Sequence, residues 1–274
     1  MALNIGVASK EPLNVELIRG QLSIHTVGRR IYLFDEVTST NEVLRRLAKE
    51  GAEEGTTVLA ESQSAGQGRL GKRWFSPPGV NLYASILFRP AIEPRKAPVF
   101  SFIASLALAD AIRDLGLSPA IKWPNDILLD RKKVAGVLVE TSISGDLLDD
   151  AIIGVGVNVN VEREALVEAL GTAGRAATSL LEIKGKPIDR NGFAAGFLSS
   201  LDEWWRVYRG HGEEALIRAW RDLDILTGRR VEVRGETSTI DARVLGVDAE
   251  GQLLVQDSMG RVRQIIGGEI RLLD

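Results

Sequence analysis

Polar and apolar residues alternate with a period of two along the final part of the chain, from residue 228 to residue 273. Val231-Glu232-Val233 is one example, and turns at 249–251 and 259–260 separate the apolar runs. Short period-two runs between turns are typical of antiparallel strands. The pattern therefore predicts a small β-barrel over this part of the chain.

The chain before this barrel mixes helical and strand patterns. Apolar residues at helical spacing predict helices after Ser39, from Val99 to Leu115, over 163–170 and over 190–224. Strands are predicted at 31–34, 58–60, 81–89, 127–129, 134–140 and 147–160. The last two strands form a hairpin through Gly145-Asp146, so the fold class is α+β with a mixed or antiparallel sheet and helices rather than a purely parallel sheet.

These patterns divide the chain into three parts. Residues 1–30 form an N-terminal segment with one weak helical stretch, which is too short for a helix-turn-helix domain. Residues 31–226 form the main α+β domain, and residues 227–274 form the barrel domain.

Ser39 and Thr40 stand at the entrance of the first long helix. Ser39 followed by Glu42 matches a capping box, in which the two side chains bond the free amides of the helix start. A cap is the ordinary role for such a hydroxyl, but the same position would let Ser39 and Thr40 hold a polar ligand.

Composition narrows the class of protein. The 34 basic and 37 acidic residues give a net charge of -3, which does not favour a nucleic-acid coat. No apolar run approaches the roughly 20 residues that a bilayer requires, so we expect a cytoplasmic protein with no membrane partner. The chain has no cysteine, which excludes disulfides, thiolate metal ligands and thiol nucleophiles.

A glycine-rich basic loop joins two of the predicted strands. Three glycines between residues 66 and 71 allow close approach of the backbone to a ligand. The exposed amides of this loop, with Arg69, Lys72 and Arg73, suit a phosphate or a carboxylate. Its glycine spacing matches the dinucleotide fingerprint, but the following Trp-Phe-Ser-Pro-Pro-Gly run excludes the helix that this fingerprint needs. A glycine-rich hairpin loop with a solvated basic face stays an alternative.

This loop is one of four motifs that occur together in a specific order. They are Ser39-Thr40-Asn41, the loop from Gly66 to Trp74, Lys122-Trp123-Pro124-Asn125-Asp126 with Lys133-Val134-Ala135-Gly136, and Gly154-Val155-Gly156-Val157-Asn158. In this combination the chain resembles bacterial biotin protein ligases of the monofunctional type, without an N-terminal winged helix. The resemblance implies a catalytic domain like that of class II aminoacyl-tRNA synthetases, followed by an SH3-like barrel.

The resemblance also implies a two-step reaction and a set of site residues. Biotin would be activated by ATP as biotinyl-5'-AMP and passed to a lysine of a biotin carboxyl carrier protein, with Mg²⁺ arriving with ATP and no metal ligands assigned. Catalysis would fall to Lys122 and Arg69. Biotin would contact Ser39, Thr40, Asn41, Gln63, Gly66, Gln67, Gly68, Arg69 and Lys122, and ATP would contact Arg69, Lys72, Trp74, Lys133 and Asn158. Asp126 is a candidate for an indirect contact with the metal, DNA is not an expected partner, and a homodimer is left open.

The loop departs from the family pattern at Gln67, where an arginine is usual. Two further functions compete with the biotin ligase. A lipoate ligase would place Ser39, Thr40 and Gln63 around an apolar dithiolane ring, which would leave these three polar side chains without hydrogen bonds to the ligand. A non-catalytic regulator would leave the pairing of Lys122 with Arg69 without a use. The glycine content of the loop also predicts that it is disordered until ligand binds.

Overall fold

The strands of the described residues form two sheets. The computed structural model describes residues 11–22, 26–235 and 239–273, so residues 1–10 and 23–25 of the predicted N-terminal segment lie outside the described part. The strands of the larger sheet are β1 Ile31–Val37, β2 Thr57–Gln63, β3 Leu82–Phe88, β4 Ala120–Lys122, β5 Asp126–Leu129, β6 Lys132–Ser144 and β7 Leu147–Val157. Those of the smaller sheet are β8 Arg230–Arg234, β9 Thr239–Val247, β10 Leu253–Asp257, β11 Val262–Ile265 and β12 Glu269–Leu272.

The larger sheet is mixed. Its order is β1-β2-β3-β7-β6-β5-β4, in which β1 and β2 are parallel and the other neighbours are antiparallel. The predicted hairpin of β6 and β7 is present and supplies two central strands. The predicted α+β class with a mixed sheet is confirmed, and the antiparallel smaller sheet fits the predicted SH3-like domain.

Helices cover the larger sheet. Their bounds are α1 Val15–Arg19, α2 Thr40–Lys49, α3 Val99–Asp114, α4 Arg163–Leu170, α5 Thr172–Arg175, α6 Leu180–Lys184, α7 Arg190–His211 and α8 Glu213–Arg221. Helix α3 is buried on nearly all sides, as its apolar sequence predicts, and Phe100 packs against Trp205 of α7. The predicted helix over 190–224 is two helices, because Gly212 adopts a left-handed φ of 71° between them. No helix among the described residues is long and apolar enough to cross a membrane.

The capping-box prediction for Ser39 is wrong. Ser39 is the N-cap of α2, but its side chain makes no capping hydrogen bond. The Glu42 carboxylate instead accepts a hydrogen bond of 2.6 Å from the hydroxyl of Thr38, which draws it away from the amide that a capping box would bond. The hydroxyl of Ser39 is therefore not used in holding the helix.

A turn of the smaller sheet packs against the larger domain. Gly251, in the turn before β10, has a left-handed φ, and a Cβ there would lie 2.3 Å from the ring of Phe102 on α3. Its carbonyl accepts a hydrogen bond of 3.0 Å from Nε1 of Trp123, which follows β4. These contacts hold the barrel beside the Lys122–Asp126 motif.

Asp257 organises the turn after β10. Its carboxylate is buried and accepts hydrogen bonds from the amides of Met259 and Arg261 and from the side chains of Arg261 and Arg263. Burial alone would raise the pKa of Asp257, but these donors outweigh it and lower the pKa to about 2. A carboxylate with a depressed pKa stabilises the fold above its ordinary pKa of 3.8, and the contribution is lost as the pH falls towards 2.

We expect Asp257→Asn to have a lower melting temperature than the parent protein at pH 7. The difference in melting temperature should be smaller at pH 3, because there the parent protein has begun to lose the contribution of the charged carboxylate. Thermal melts at both pH values measure this difference. Asp241→Asn, which changes an exposed residue of β9, is the control. An equal difference at both pH values would remove the carboxylate charge from the explanation.

Candidate active site

A cavity of about 790 Å³ lies between the larger sheet, the glycine-rich loop and the last strand of the barrel. This volume is in the range of small-molecule sites. The predicted site residues that line it are Ser39, Thr40, Asn41, Gln63, Gln67, Gly68, Arg69, Lys72, Trp74, Lys122, Lys133 and Asn158. Gly66 is the predicted site residue outside this described lining: it is buried at the start of the loop, where a Cβ would lie 2.6 Å from the hydroxyl of Ser76.

Three glycines of β6 and β7 form the floor of the cavity. Gly136 and Gly156 are paired across the two strands. A Cβ on Gly156 would lie 2.4 Å from the indole of Trp74, and a Cβ on Gly154 would lie 2.2 Å from Oδ1 of Asn41. The missing side chains therefore let Trp74 and Asn41 lie directly against the sheet.

The glycine-rich loop is itself a small hairpin. Gln67 and Arg73 face each other across it, the Trp74 amide donates to the Gly66 carbonyl at 2.9 Å, and the Gly68 amide donates to the Lys72 carbonyl at 2.7 Å. We expected the amides of this loop to face a ligand, and for Gly68 this prediction is wrong because its N–H closes the hairpin. The loop does join β2 to β3 without a long helix, as predicted.

Positive charge gathers at one end of the cavity around a single aspartate. Lys133 Nζ lies 2.5 Å from Oδ1 of Asp126 and 5.3 Å from the centroid of the Trp74 ring. Nη1 of Arg69 donates to Oδ1 of Asn125 at 3.4 Å. Asn125 is held in turn by its own bond of 2.6 Å to the Val137 carbonyl. The Lys122–Asp126 motif thus provides one cation, Lys122. Its Asn125 and Asp126 contact and orient Arg69 and Lys133.

Lys122 is a desolvated cation. Burial lowers its pKa, the negative charge of Asp126 partly restores it, and the nearby Lys133 lowers it further. Burial also lowers the pKa of the Arg69 guanidinium, and Asp126 raises it. An anion that entered this end of the cavity would meet charges that are already partly stripped of water, which strengthens the attraction.

The opposite end of the cavity is polar and uncharged. The Thr40 amide donates to Oε1 of Gln63 at 2.9 Å, and Nε2 of Gln63 donates to the Ser76 hydroxyl at 3.0 Å. Asn41 Nδ2 donates to Oε2 of Glu140 at 2.7 Å. Asn41, called a ligand contact from the sequence, is thus partly committed to the protein.

Sequence reasoning missed two residues behind this polar end. Ser85, fully buried in β3, lies within hydrogen-bond distance of Thr40 and Asn41, and Glu140 of β6 bonds both Asn41 and Arg45. A serine inside the apolar run Leu82–Phe88 is the signal that could have indicated the first of them.

The barrel also contributes to the cavity, and sequence reasoning assigned it no role there. Arg234 and the residues from Gly268 to Leu272 line the same space. Oε2 of Glu269 lies 3.1 Å from Lys72 Nζ, and this contact lowers the pKa of Glu269. Lys72 of the loop is therefore paired with the barrel rather than free in the cavity.

Asn158 lies at the end of β7, under the cavity. Its Nδ2 donates to the Thr178 carbonyl at 2.9 Å, and its backbone amide donates to the Val134 carbonyl at 2.9 Å. The side chain is 4% exposed. The Asn158 carbonyl accepts from the Leu180 amide at 2.9 Å, so both backbone groups and one side-chain amide hydrogen are committed to the protein. The contact with adenine stays a prediction for the rest of the carboxamide.

Two family models match the chain. The biotin/lipoate A/B protein ligase family matches residues 33–158, and the biotin protein ligase C-terminal domain matches residues 226–273. The bifunctional ligase/repressor BirA of Bacillus subtilis is 33% identical over 256 residues, which cover 93% of this chain and 78% of that protein. The biotin--[acetyl-CoA-carboxylase] ligase of Paracoccus denitrificans is 32% identical over 81% of this chain and 92% of its own length.

Solved structures with the same fold include ligand complexes. The biotin protein ligase from Aquifex aeolicus in complex with biotin and ATP has a TM-score of 0.73 and 30% identity, and covers 89% of this chain and 98% of its own. The biotin protein ligase from Leishmania major in complex with biotinyl-5-AMP has a TM-score of 0.59 and 25% identity, over 87% of this chain and 99% of its own.

Proposed function

The chain belongs to the biotin protein ligase family, and from this premise we propose that its cavity activates biotin with ATP and transfers the biotinyl group to a lysine. The observation that carries the proposal is that one cavity joins a neutral polar end, around Thr40 and Gln63, to a cationic end, around Lys122, Arg69 and Lys133. The neutral end suits the ureido ring of biotin. The cationic end suits the carboxylate and the phosphates that react with it.

Both steps need charge to be neutralised more than they need a protein nucleophile. In the first step, a carboxylate oxygen of biotin bonds to the α-phosphorus of ATP, and the bond from the α-phosphorus to the bridging oxygen breaks to release pyrophosphate. In the second, the neutral amine of an acceptor lysine bonds to the biotinyl carbonyl carbon, AMP leaves, and the amine loses a proton. Negative charge crowds at the α-phosphate in both steps, where fixed cations act most strongly.

Lys122 is the cation we assign to the carboxylate and the α-phosphate. It lies at the end of β4, immediately before Trp123, whose indole is anchored on the barrel. Arg69 reaches from the loop towards the same end and suits the phosphate as a planar donor. Lys133 is held beside Trp74 by Asp126, a place from which it would meet the outer phosphates.

Mg²⁺ is proposed to enter with ATP. No group of three His, Cys, Asp or Glu side chains among the described residues could hold a metal ion, and Asp126 and Glu269 are the carboxylates of the described cavity lining. That donor set fits an ion held mainly by phosphates and water, with at most one or two carboxylates. When bound, the ion would supply further neutralisation of the phosphate charge.

The acceptor belongs to the biotin-carrier substrates of carboxylases, and we propose the biotin carboxyl carrier protein of acetyl-CoA carboxylase, the enzyme that the name of the Paracoccus relative gives. We also propose a cytoplasmic location, and a catalytic domain over 31–226 followed by an SH3-like domain over 227–274. The prediction that the chain binds no DNA is untested, and the question of a homodimer stays open. A gel-shift assay and analytical ultracentrifugation would test them.

A pyrophosphate-release assay without acceptor protein tests the first step. Biotin, lipoate and octanoate are each supplied with ATP and Mg²⁺. We expect release with biotin alone, because the polar groups of Thr40 and Gln63 would be left unmatched by an aliphatic or dithiolane tail. Equal or faster release with lipoate would move the chain to the lipoate branch of the matched family.

Gln67 is the position at which this chain leaves the family pattern. It is exposed and lies opposite Arg73 in the loop hairpin, so an arginine there would face a like charge. We expect Gln67→Arg to change the affinities for biotin and for a non-hydrolysable ATP analogue by less than about tenfold. Calorimetric titration of biotin, and then of the analogue into the biotin complex, measures both. A larger gain in either affinity would mean that the parent protein has a weakened anion site.

A further inference from the structure

A chain of short hydrogen bonds runs from a carboxylate to the polar end of the cavity. Asn41 Nδ2 donates to Oε2 of Glu140 at 2.7 Å, and Arg45 pairs with Oε1 of Glu140. The Ser85 hydroxyl oxygen lies 2.6 Å from Oδ1 of Asn41 and 2.7 Å from Oγ1 of Thr40. Thr40, Asn41 and Ser85 are at most 4% exposed, so bulk water does not complete these contacts.

The charge of Glu140 decides which way each proton in this chain points. A carboxylate only accepts, so Asn41 turns its NH₂ group towards Glu140 and its carbonyl towards Ser85. Ser85 must therefore donate its single hydroxyl proton to Oδ1 of Asn41 at 2.6 Å, because the carbonyl oxygen has no proton. In the contact of 2.7 Å between Ser85 and Thr40, the Thr40 hydroxyl must then be the donor. Thr40 therefore offers lone pairs to the cavity.

The other neighbour of Thr40 does not change this direction. Gln63 is fixed at both ends, since its Oε1 accepts from the Thr40 amide and its Nε2 donates to Ser76, whose own proton goes to the Trp74 carbonyl. Oε1 of Gln63 lies 3.3 Å from Oγ1 of Thr40, a longer contact than the one to Ser85. The Thr40 proton is thus held by Ser85.

We propose that Glu140 is a positioning residue for ligand selection. Through Asn41 and Ser85 it keeps the Thr40 hydroxyl an acceptor, so that the site selects a ligand that brings an N–H to this point. The inference rests on the proposed function, because it takes the cyclic urea of biotin as that ligand. A cyclic carbamate has a ring oxygen in place of one N–H, and the lone pairs of that oxygen would repel those of the Thr40 hydroxyl.

Two substitutions interrupt the chain at different points. In Glu140→Gln, Arg45 keeps the amide oxygen, so the new NH₂ group faces Asn41 and turns its carboxamide round. Ser85 then donates to Thr40, and the Thr40 proton is released. Ser85→Ala removes the acceptor of that proton directly. Both variants free the Thr40 hydroxyl to donate to a ligand.

The test compares biotin with the two cyclic carbamates in which one or the other ring N–H is replaced by oxygen. Each is titrated calorimetrically into the full chain without nucleotide. For the parent protein we expect biotin to bind about 100-fold more tightly than the poorer carbamate, and we expect the ratio to fall to about tenfold or less in Glu140→Gln and Ser85→Ala.

Matched controls separate ligand selection from folding. Glu182→Gln changes a carboxylate that is paired with Lys132 and Arg163 outside the cavity lining, and Ser105→Ala changes another fully buried serine. Both should keep the parental ratio.

If Glu140 and Ser85 acted in folding alone, their substitution would lower the affinities for all three ligands together. The proposal is therefore overturned if the ratio of the affinities for biotin and the poorer carbamate is unchanged in both Glu140→Gln and Ser85→Ala. It is also overturned if the parent protein binds both carbamates as tightly as biotin. If the parent protein binds none of the three compounds, the proposed function itself fails.

Discussion

Replacement of Lys122 by alanine should lower the rate of biotin adenylation by about 100-fold or more, the effect that is typical for the loss of one preorganised charge. Lys122 is partly buried at a strand end and forms no ion pair among the described contacts. Its removal therefore leaves no carboxylate there without an ion-pair partner. The fold should therefore survive. Biotin-dependent pyrophosphate exchange into ATP measures the rate, and a circular dichroism melt checks the fold.

Lys49→Ala, which removes an exposed lysine at the end of α2, is the control and should keep the parental rate. A folded Lys122→Ala protein with near-parental exchange would exclude Lys122 from the reaction and would leave Lys133 as the bridging cation.

The pH dependence of the same assay reports the charge of Lys122. Because burial lowers its pKa, the protonated form disappears at a lower pH than for an ordinary lysine. The rate should therefore fall on the alkaline side below the usual lysine range, and Lys122→Arg should move that fall to higher pH. An alkaline limb that does not move in Lys122→Arg would belong to another group.

Replacement of Arg69 by glycine should release the activated intermediate. Arg69 lies in the turn of the loop hairpin, and its guanidinium reaches towards Asn125 and the barrel residue Gly267. It would hold the phosphate of biotinyl-5'-AMP by charge-assisted hydrogen bonds, which slow dissociation. We expect the variant to lose the adenylate into solution and to biotinylate unrelated proteins that are added to the reaction.

Leu70→Gly is the matched control. Leu70 is the next residue of the same turn, is 66% exposed and has a left-handed φ of 55°, so glycine there adds flexibility without removing charge. This variant should keep its adenylate nearly as long as the parent protein. Rapid filtration of the protein after adenylate formation measures retention, and equal retention in Arg69→Gly and the parent would contradict the assigned role.

Local patterns were enough to predict the elements that carry the cavity. The hairpin of β6 and β7, the helix after Ser39 and the loop from Gly66 to Trp74 each depend on residues that are close in sequence, such as Gly145-Asp146 at the turn. Motif order then indicated which side chains would meet in space. The structure brings Lys122 and Arg69 to one end of the cavity, although their roles stay predictions.

Contacts between distant segments could not be predicted in the same way. Ser85 and Thr40 are 45 residues apart, and Asn41 and Glu140 are 99 apart, so they meet only because α2 packs against the paired strands β3, β7 and β6. The Gly68 amide was misjudged because the loop folds on itself, which uses a donor that appears free in sequence. The salt bridge between Lys72 and Glu269 depends on how the barrel docks, and no local pattern reports that.

The most direct measurement is the mass of a biotin carboxyl carrier domain after incubation with this protein, biotin, ATP and Mg²⁺. We predict a gain of one biotinyl group, located on a single lysine by peptide mapping and absent when that lysine is replaced by arginine or when ATP is omitted. An unmodified carrier domain, under conditions in which the protein releases pyrophosphate with biotin, would contradict the transfer of biotin to a carrier lysine.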